Sequence, residues 1–178
     1  MKTTGIILTI LLGISLSTHA QSELSKKIGF GGQITQIQRD FGIGLNLTSP
    51  HFANGRSAIR LRTNIMWNEH LNNDGETTWT SYSNISLGFV SIAREIGDFA
   101  RLYGEGGVIL LLPSDTFSSE SIEFGGYGLF GFEFYMSNNA NYFLEIGGVG
   151  TGAQADEVPN KPIYSNGLLI SAGFRMQL

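Results

Sequence analysis

The sequence predicts an all-β fold, an eight-stranded antiparallel up-and-down transmembrane β-barrel with a filled polar interior. Three observations predict it. First, the stretch Gly167–Leu178 alternates strictly enough to define two faces. Leu168, Ile170, Ala172, Phe174, Met176 and Leu178 share one; Gly167, Ser171, Gly173, Arg175 and Gln177 share the other, with Leu169 the single large apolar exception. Second, seven more segments alternate in the same way. Third, charge is partitioned by parity. Arg60, Arg62, Arg101, Glu105, Glu123, Glu133, Glu145 and Arg175 all fall on the small or polar faces, and the apolar faces carry none. A charge held against the bilayer midplane costs about 2–4 kcal/mol, so a lipid-facing surface requires that absence.

The chain opens Met1-Lys2, continues through an apolar run Gly5–Leu16 and reaches Ser17-Thr18-His19-Ala20. A charged start, a short apolar segment and a small-residue end make a secretory leader, cleaved after Ala20. The run is shorter than the ~20 apolar residues of a membrane-spanning helix. Residues 1–20 are therefore read as the leader and residues 21–178 as one barrel domain. Losing Lys2 moves the formal charge from −4 to −5, a poor balance for nucleic-acid binding. With no cysteine there is no lipid-anchoring thiol, disulfide or thiolate metal site.

The strands then follow in order. Ile28–Thr35 sets Ile28, Phe30 and Ile34 against Gly29, Gly31, Gln33 and Thr35. A turn near Arg39-Asp40 leads into Phe41–Thr48, with Phe41, Ile43, Leu45 and Leu47 opposite Gly42, Gly44, Asn46 and Thr48. Ser49–Gly55 is a turn by composition. Ile59–Trp67 puts Arg60 and Arg62 behind Ile59, Leu61 and Ile65. Asn68–Thr77 reads as a polar loop. In Trp79–Phe89 the apolar parity carries Ser81 and Ser83 at its first half, so that end rises out of the lipid. Ile92–Phe99 reads as a short connection. Ala100–Leu112 turns Arg101, Tyr103 and Glu105 inward, and after the loop Pro113–Glu120 the segment Ile122–Phe134 turns Glu123, Tyr127 and Glu133 inward. Asn138-Asn139 leads into Tyr142–Gly150, with Glu145 inward, and the loop Thr151–Asn166 precedes the closing strand. After the first loop, the alternation of short and longer connections matches the short periplasmic turns and longer outer loops of membrane barrels.

An eight-stranded barrel is just wide enough for side chains to fill it, and buried charges persist there only when paired and hydrogen-bonded. Four arginines and four glutamates on the inward parity meet both demands, closing the lumen rather than lining a channel. Alternation alone leaves a second arrangement open: a soluble, lipocalin-like ligand-binding barrel turned inside out, with the apolar face within.

With leader, eight alternating strands and an apolar final strand in place, the chain resembles the small eight-stranded outer-membrane barrels, the architecture of the OmpA transmembrane domain and its stand-alone relatives. The resemblance runs from about Lys27 to Leu178. It implies outer-membrane localisation, contact with outer-membrane lipids, and handling by periplasmic chaperones and the barrel-assembly machinery. Its most specific part is the strand face Leu168, Ile170, Ala172, Phe174, Met176 and Leu178, which resembles the assembly signal of that family. The family usually ends on an aromatic residue; here Leu178 stands there, with Phe174 four residues earlier. Wall anchoring through a following domain is not implied.

The role expected is structural or surface interaction, with an extracellular partner reached through the outer loops, no cofactor and no catalysis. The glycine clusters at Gly104–Gly107 and Gly125–Gly128 lack the strand–turn–helix context of a phosphate loop and read as room for neighbouring rings. Some eight-stranded barrels modify lipids with a His–Ser dyad oriented by a carboxylate. The outer-rim candidates here are His70 with Glu69, Asp74, Glu76, Ser114, Ser118 and Ser119, though no spacing fixes a contact and an exposed loop histidine is the simpler assignment. Asp115, Glu120, Asp156 and Glu157 make the same loops acidic with only Lys161 opposed, a solvated rim without spaced metal-ligand positions. Trp67 and Trp79 at one end, and Phe89, Phe134, Tyr142 and Phe174 at the other, read as interfacial girdles.

Overall fold

Period-two alternation closes on itself in the structure. The computed structural model describes residues 27–178 apart from Asn73 and Asn138, so the leader lies outside the described residues. Eight strands follow one another: β1 (Gly29–Ile37), β2 (Asp40–Thr48), β3 (Ser57–Leu71), β4 (Thr77–Ile96), β5 (Ala100–Leu112), β6 (Glu123–Ser137), β7 (Ala140–Gly150) and β8 (Gly167–Gln177). Each is antiparallel to the next, and β1 pairs with β8 from Gly29↔Gln177 to Ile37↔Leu169, leaving no free edge. The end of the barrel holding Gly29 and Gln177 is called the terminal end, and the opposite one the loop end.

Two strands are longer than their alternation suggests. β3 and β4 continue past the last β2–β3 pair, Phe41↔Trp67, and past the first β4–β5 pair, Ser83↔Leu112, so their hairpin stands above the wall. Its outward positions there include Glu69, Thr77, Ser81 and Ser83, which hide the strand behind a polar composition. At the terminal end most of Ile92–Phe99, expected as a connection, is strand. The pairing with β5 shifts register between Ile92 and Arg94, a bulge at Ala93 that reverses parity. Arg94 then lies on the outer face opposite Leu102, and Glu95 lies on the inner face opposite Arg101.

Every strand presents large apolar side chains outward. Ile34, Leu45, Leu61, Leu87, Val108, Phe130, Leu144 and Ile170 are all exposed. The expectation that the outer faces carry no charge needs one correction. Glu69 and Arg94 face outward, but at opposite ends of their strands, beyond this apolar band. Aromatic rings mark its two borders. Phe41 stacks on Trp67 at the loop end (6.4 Å); Phe134 stacks on Tyr142 (4.8 Å) and Phe52 meets Phe89 edge-on (6.1 Å) at the terminal end.

The interior has two storeys, not one polar filling. The ion-paired charges occupy the terminal half. Toward the loop end Met66, Ile109, Leu111, Leu129, Val149 and Leu169 are buried beside the polar Asn64, Asn68 and Asn84. In Val108–Leu112 both faces are apolar, so the run carries no parity signal that would single out its inward members.

Candidate functional site

The lumen charges form one connected network. Glu105 on β5 accepts from Arg60 (2.7 Å) and from Arg62 Nη2 (2.5 Å), while Arg62 also grips Glu145 of β7 with both terminal nitrogens (2.6 and 2.9 Å). Arg175 on β8 bridges Glu145 (3.0 Å) and Glu133 (2.9 Å), and Glu133 holds Arg101. The remaining lone pairs are used: Tyr103 donates its hydroxyl to Glu145 (2.5 Å) and Tyr127 to Glu105 (2.7 Å). Arg175 also lies over the Phe143 ring, 3.8 Å from its centroid. Arg60, Arg175, Glu133 and Glu145 are all at most 3% exposed. Such burial is sustainable because each charge meets an opposite one and tyrosine hydroxyls add further hydrogen bonds to the carboxylates.

Seven of the eight residues read from parity are thus brought together. Glu123 is not. It points inward, but at the loop-end limit of β6, half-exposed near Glu120 and Asp156 and without an ion pair among the described residues. Parity assigns a face and says nothing of height. Four arginines therefore face three glutamates inside, and Glu95, turned inward by the bulge, is the carboxylate in register with Arg101, where it accepts the Tyr135 hydroxyl (3.0 Å).

Above this network the barrel mouth is closed by its own loops. Phe117 from the β5–β6 loop and Tyr164 from the β7–β8 loop are buried against Tyr82, with ring centroids 4.9–6.1 Å apart. Ala153, Ala155 and Val158 are buried in the same cluster. Burial in this plug pushes the Tyr164 phenol up to about 12. Asp40, which the sequence marks only as part of a turn, is the anchor: it accepts from Asn68 (2.7 Å), Tyr82 (2.6 Å) and the Ser165 amide (2.7 Å). Its parity continues Gly42, Gly44 and Asn46 inward, which is the signal that identifies it. Phe117 and Tyr164 lie in irregular loops and leave no such signal.

The two long loops are also clasped to each other. Ser119 donates its hydroxyl (2.5 Å) and its amide (2.8 Å) to Asp156, and these bonds hold the Asp156 carboxyl below the usual range. A depressed carboxyl stabilises the folded loops above its unfolded value and loses that contribution as pH falls through the folded one. Acidification below pH ~4 should therefore speed amide hydrogen exchange at Ser119 and Glu120 before the wall responds, whereas exchange that stays pH-corrected and flat would remove Asp156 as the clasp.

His70 is not an exposed loop residue. It lies on β3, faces inward, and is 8% exposed beneath Phe117, whose ring it stacks on at 6.2 Å. Its Nδ1 donates to the Leu71 carbonyl (3.1 Å) and its Nε2 meets the Thr80 hydroxyl (2.8 Å). Ser114 bonds Thr116, Ser118 bonds the Gln154 carbonyl and Ser119 bonds Asp156, so no His–Ser contact forms among the described residues. Asp74, Glu76, Asp115, Glu120 and Glu157 stay exposed on the rim.

The chain matches no family model, and no curated protein matches it by sequence. Solved structures share its fold. The N-terminal β-barrel domain of Pseudomonas aeruginosa OprF superposes with a TM-score of 0.60 at 10% identity, covering 86% of this chain and 98% of that one. The outer membrane protein OprG from Pseudomonas aeruginosa gives 0.57 at 13% identity, covering 85% and 94%. At such identities the likeness concerns the fold, which is that of the small eight-stranded outer-membrane barrels.

Proposed function

We propose that this chain is an outer-membrane protein, exported through the leader at residues 1–20, whose closed barrel serves a structural or surface-interaction role without catalysis. One observation carries the reading: burial is inverted. Phe130 is 67% exposed and Val108 61%, while Arg60 and Glu133 are each 1% exposed. In water this arrangement would expose an apolar girdle all round the molecule and bury its most soluble groups, both at a cost. In a bilayer the same arrangement is the favourable one. The inside-out soluble barrel would need the opposite assignment of faces.

In this reading the loop-end half faces the exterior, and the β3–β4 hairpin with the packed long loops offers a surface to an extracellular partner. The outward face of β8, from Leu168 to Met176, meets lipid and, with Leu178 after it, serves the assembly machinery. The closed mouth and the filled lumen argue for a wall, not a pore.

The test is fractionation of the expressed mature protein, followed by gels of boiled and unboiled detergent extracts. Outer-membrane recovery with heat-modifiable migration is expected. A detergent-free periplasmic species would overturn the membrane assignment.

A further inference from the structure

The barrel wall is uneven at the loop end. β1 and β2 are joined by the two-residue turn Gln38-Arg39, so the wall is low there, while β3 rises to Leu71 beside it. The β7–β8 loop stands on the other side. Between them lies a two-lobed cleft of about 120 and 280 Å³, the lobes sharing Arg39, Glu69 and Pro162. It opens over the notch in the wall, just beyond the ring pair Phe41 and Trp67.

Backbone strain is gathered around it. Gln38 (φ 54°), Asn160 (φ 64°), Lys161 (φ 41°) and Ser165 (φ 48°) are four of the six non-glycine residues with positive φ among the described residues. Each stands where glycine would be easier, and backbone amides tie three of them down: Gln38 N–H to the Leu168 carbonyl (2.7 Å), Lys161 N–H to the Val158 carbonyl (3.2 Å) and Ser165 N–H to Asp40 (2.7 Å). Strain that the surroundings maintain in this way collects where a chain is shaped for recognition.

Two charges in the cleft are unspent. Arg39 and Glu69 are exposed, line both lobes and have no ion-pair partner among the described residues. A planar cation and a carboxylate flanked by the Asn160 and Asn166 amides supply donors and acceptors together. Pro159, Pro162 and Ile163 supply a rigid apolar wall. A polyol ring has the matching character, with hydroxyls around its edge and C–H groups on its faces. A simple anion would be repelled by Glu69, and a simple cation by Arg39.

We infer that this cleft binds a saccharide, and that its lateral opening suits the sugar headgroup of a neighbouring outer-leaflet glycolipid. The inference rests on the membrane reading above. The test uses the refolded full barrel in phospholipid nanodiscs, titrated calorimetrically with core oligosaccharide released from lipopolysaccharide. A parallel arm places the protein in nanodiscs containing intact lipopolysaccharide and follows amide exchange at Gln38, Arg39 and Asp40. Arg39→Ala and Glu69→Ala should each weaken oligosaccharide binding about tenfold or more, as expected for lost bonds to charged groups. Asp115→Ala, on the other side of the rim, should leave it unchanged. Protection only in the glycolipid discs assigns the membrane source, and binding only of the free sugar assigns a soluble one. Glu69→Gln replaces any alanine variant that loses heat-modifiable migration. An inserted, heat-modifiable barrel that ignores the oligosaccharide at millimolar concentration, or binds it equally in all variants, overturns the cleft assignment alone. A chain that never enters the membrane overturns the reading beneath it.

Discussion

Glu145→Ala should destabilise the barrel by about 3–5 kcal/mol, the cost of leaving buried charge unpaired. Glu145 is the centre of the network, in contact with Arg62 (2.6 Å), Arg175 (3.0 Å) and Arg60 (3.5 Å). Its removal leaves four buried guanidinium groups facing Glu105 and Glu133, and strands the Tyr103 hydroxyl as well. The cavity left by the side chain adds to this, since strands in a closed sheet cannot draw together to fill it. Urea unfolding in detergent or lipid, followed by fluorescence of Trp67 and Trp79, reads the change. The double variant Glu145→Ala/Arg62→Leu separates charge from cavity. If unpaired charge dominates, removing the cation as well should restore part of the loss, giving a coupling energy of roughly 0.5–3 kcal/mol in a double-mutant cycle. A single variant within about 0.5 kcal/mol of the parent would mean that water reaches the guanidinium groups and that the lumen is wetter than its burial implies.

That network is largely legible in the sequence, because two constraints act on the same residues. Alternation sorts side chains between lipid and lumen, and the lipid tolerates no charge, so Arg60, Arg62, Arg101, Glu105, Glu133, Glu145 and Arg175 have one side available to them. Eight strands leave too little room for them to avoid one another. Glu123 shows where this logic ends. It obeys the parity and still misses the network, since nothing in a two-residue period reports distance along the barrel axis. Glu95 shows the complementary failure. One bulged residue reverses its parity, and the carboxylate facing Arg101 is hidden in what reads as a connection.

The loop-end closure is legible in one residue at most. Asp40 continues the inward parity of β2, and a carboxylate at an inward strand end invites donors from across the mouth. Phe117, Tyr164 and Ser165 meet there only because of how two irregular loops fold over the lumen, and local sequence carries no periodicity for that. His70 falls between the two cases. The polar stretch around it has the composition of a loop, whereas the excess height of the β3–β4 hairpin makes it a strand residue with its ring under Phe117.

Gly107→Ala should destabilise the barrel by about 1–3 kcal/mol, the range for overpacking, while Gly126→Ala one strand away should be neutral or stabilising. Both glycines sit in strands, where alanine is ordinarily preferred by about 0.5–1 kcal/mol. They face opposite ways. A Cβ on Gly107 would point into the lumen and meet backbone, the Leu87 carbonyl and Gly88 Cα at 2.7 Å, which only a shift of β4 against β5 could relieve. Tight curvature of a narrow barrel brings those atoms so close, so the inward glycine is demanded by the radius of the wall. A Cβ on Gly126 would point outward and meet nothing nearer than the Gly107 carbonyl at 3.7 Å, in ordinary contact. Its exposed position gives the methyl group lipid to sit in, and the substitution also narrows the unfolded ensemble. Refolding both variants side by side and comparing urea midpoints tests the contrast. A Gly126→Ala loss as large as that of Gly107→Ala would show that glycine on these strands serves backbone flexibility on both faces, and curvature would then no longer explain why the inward positions carry it.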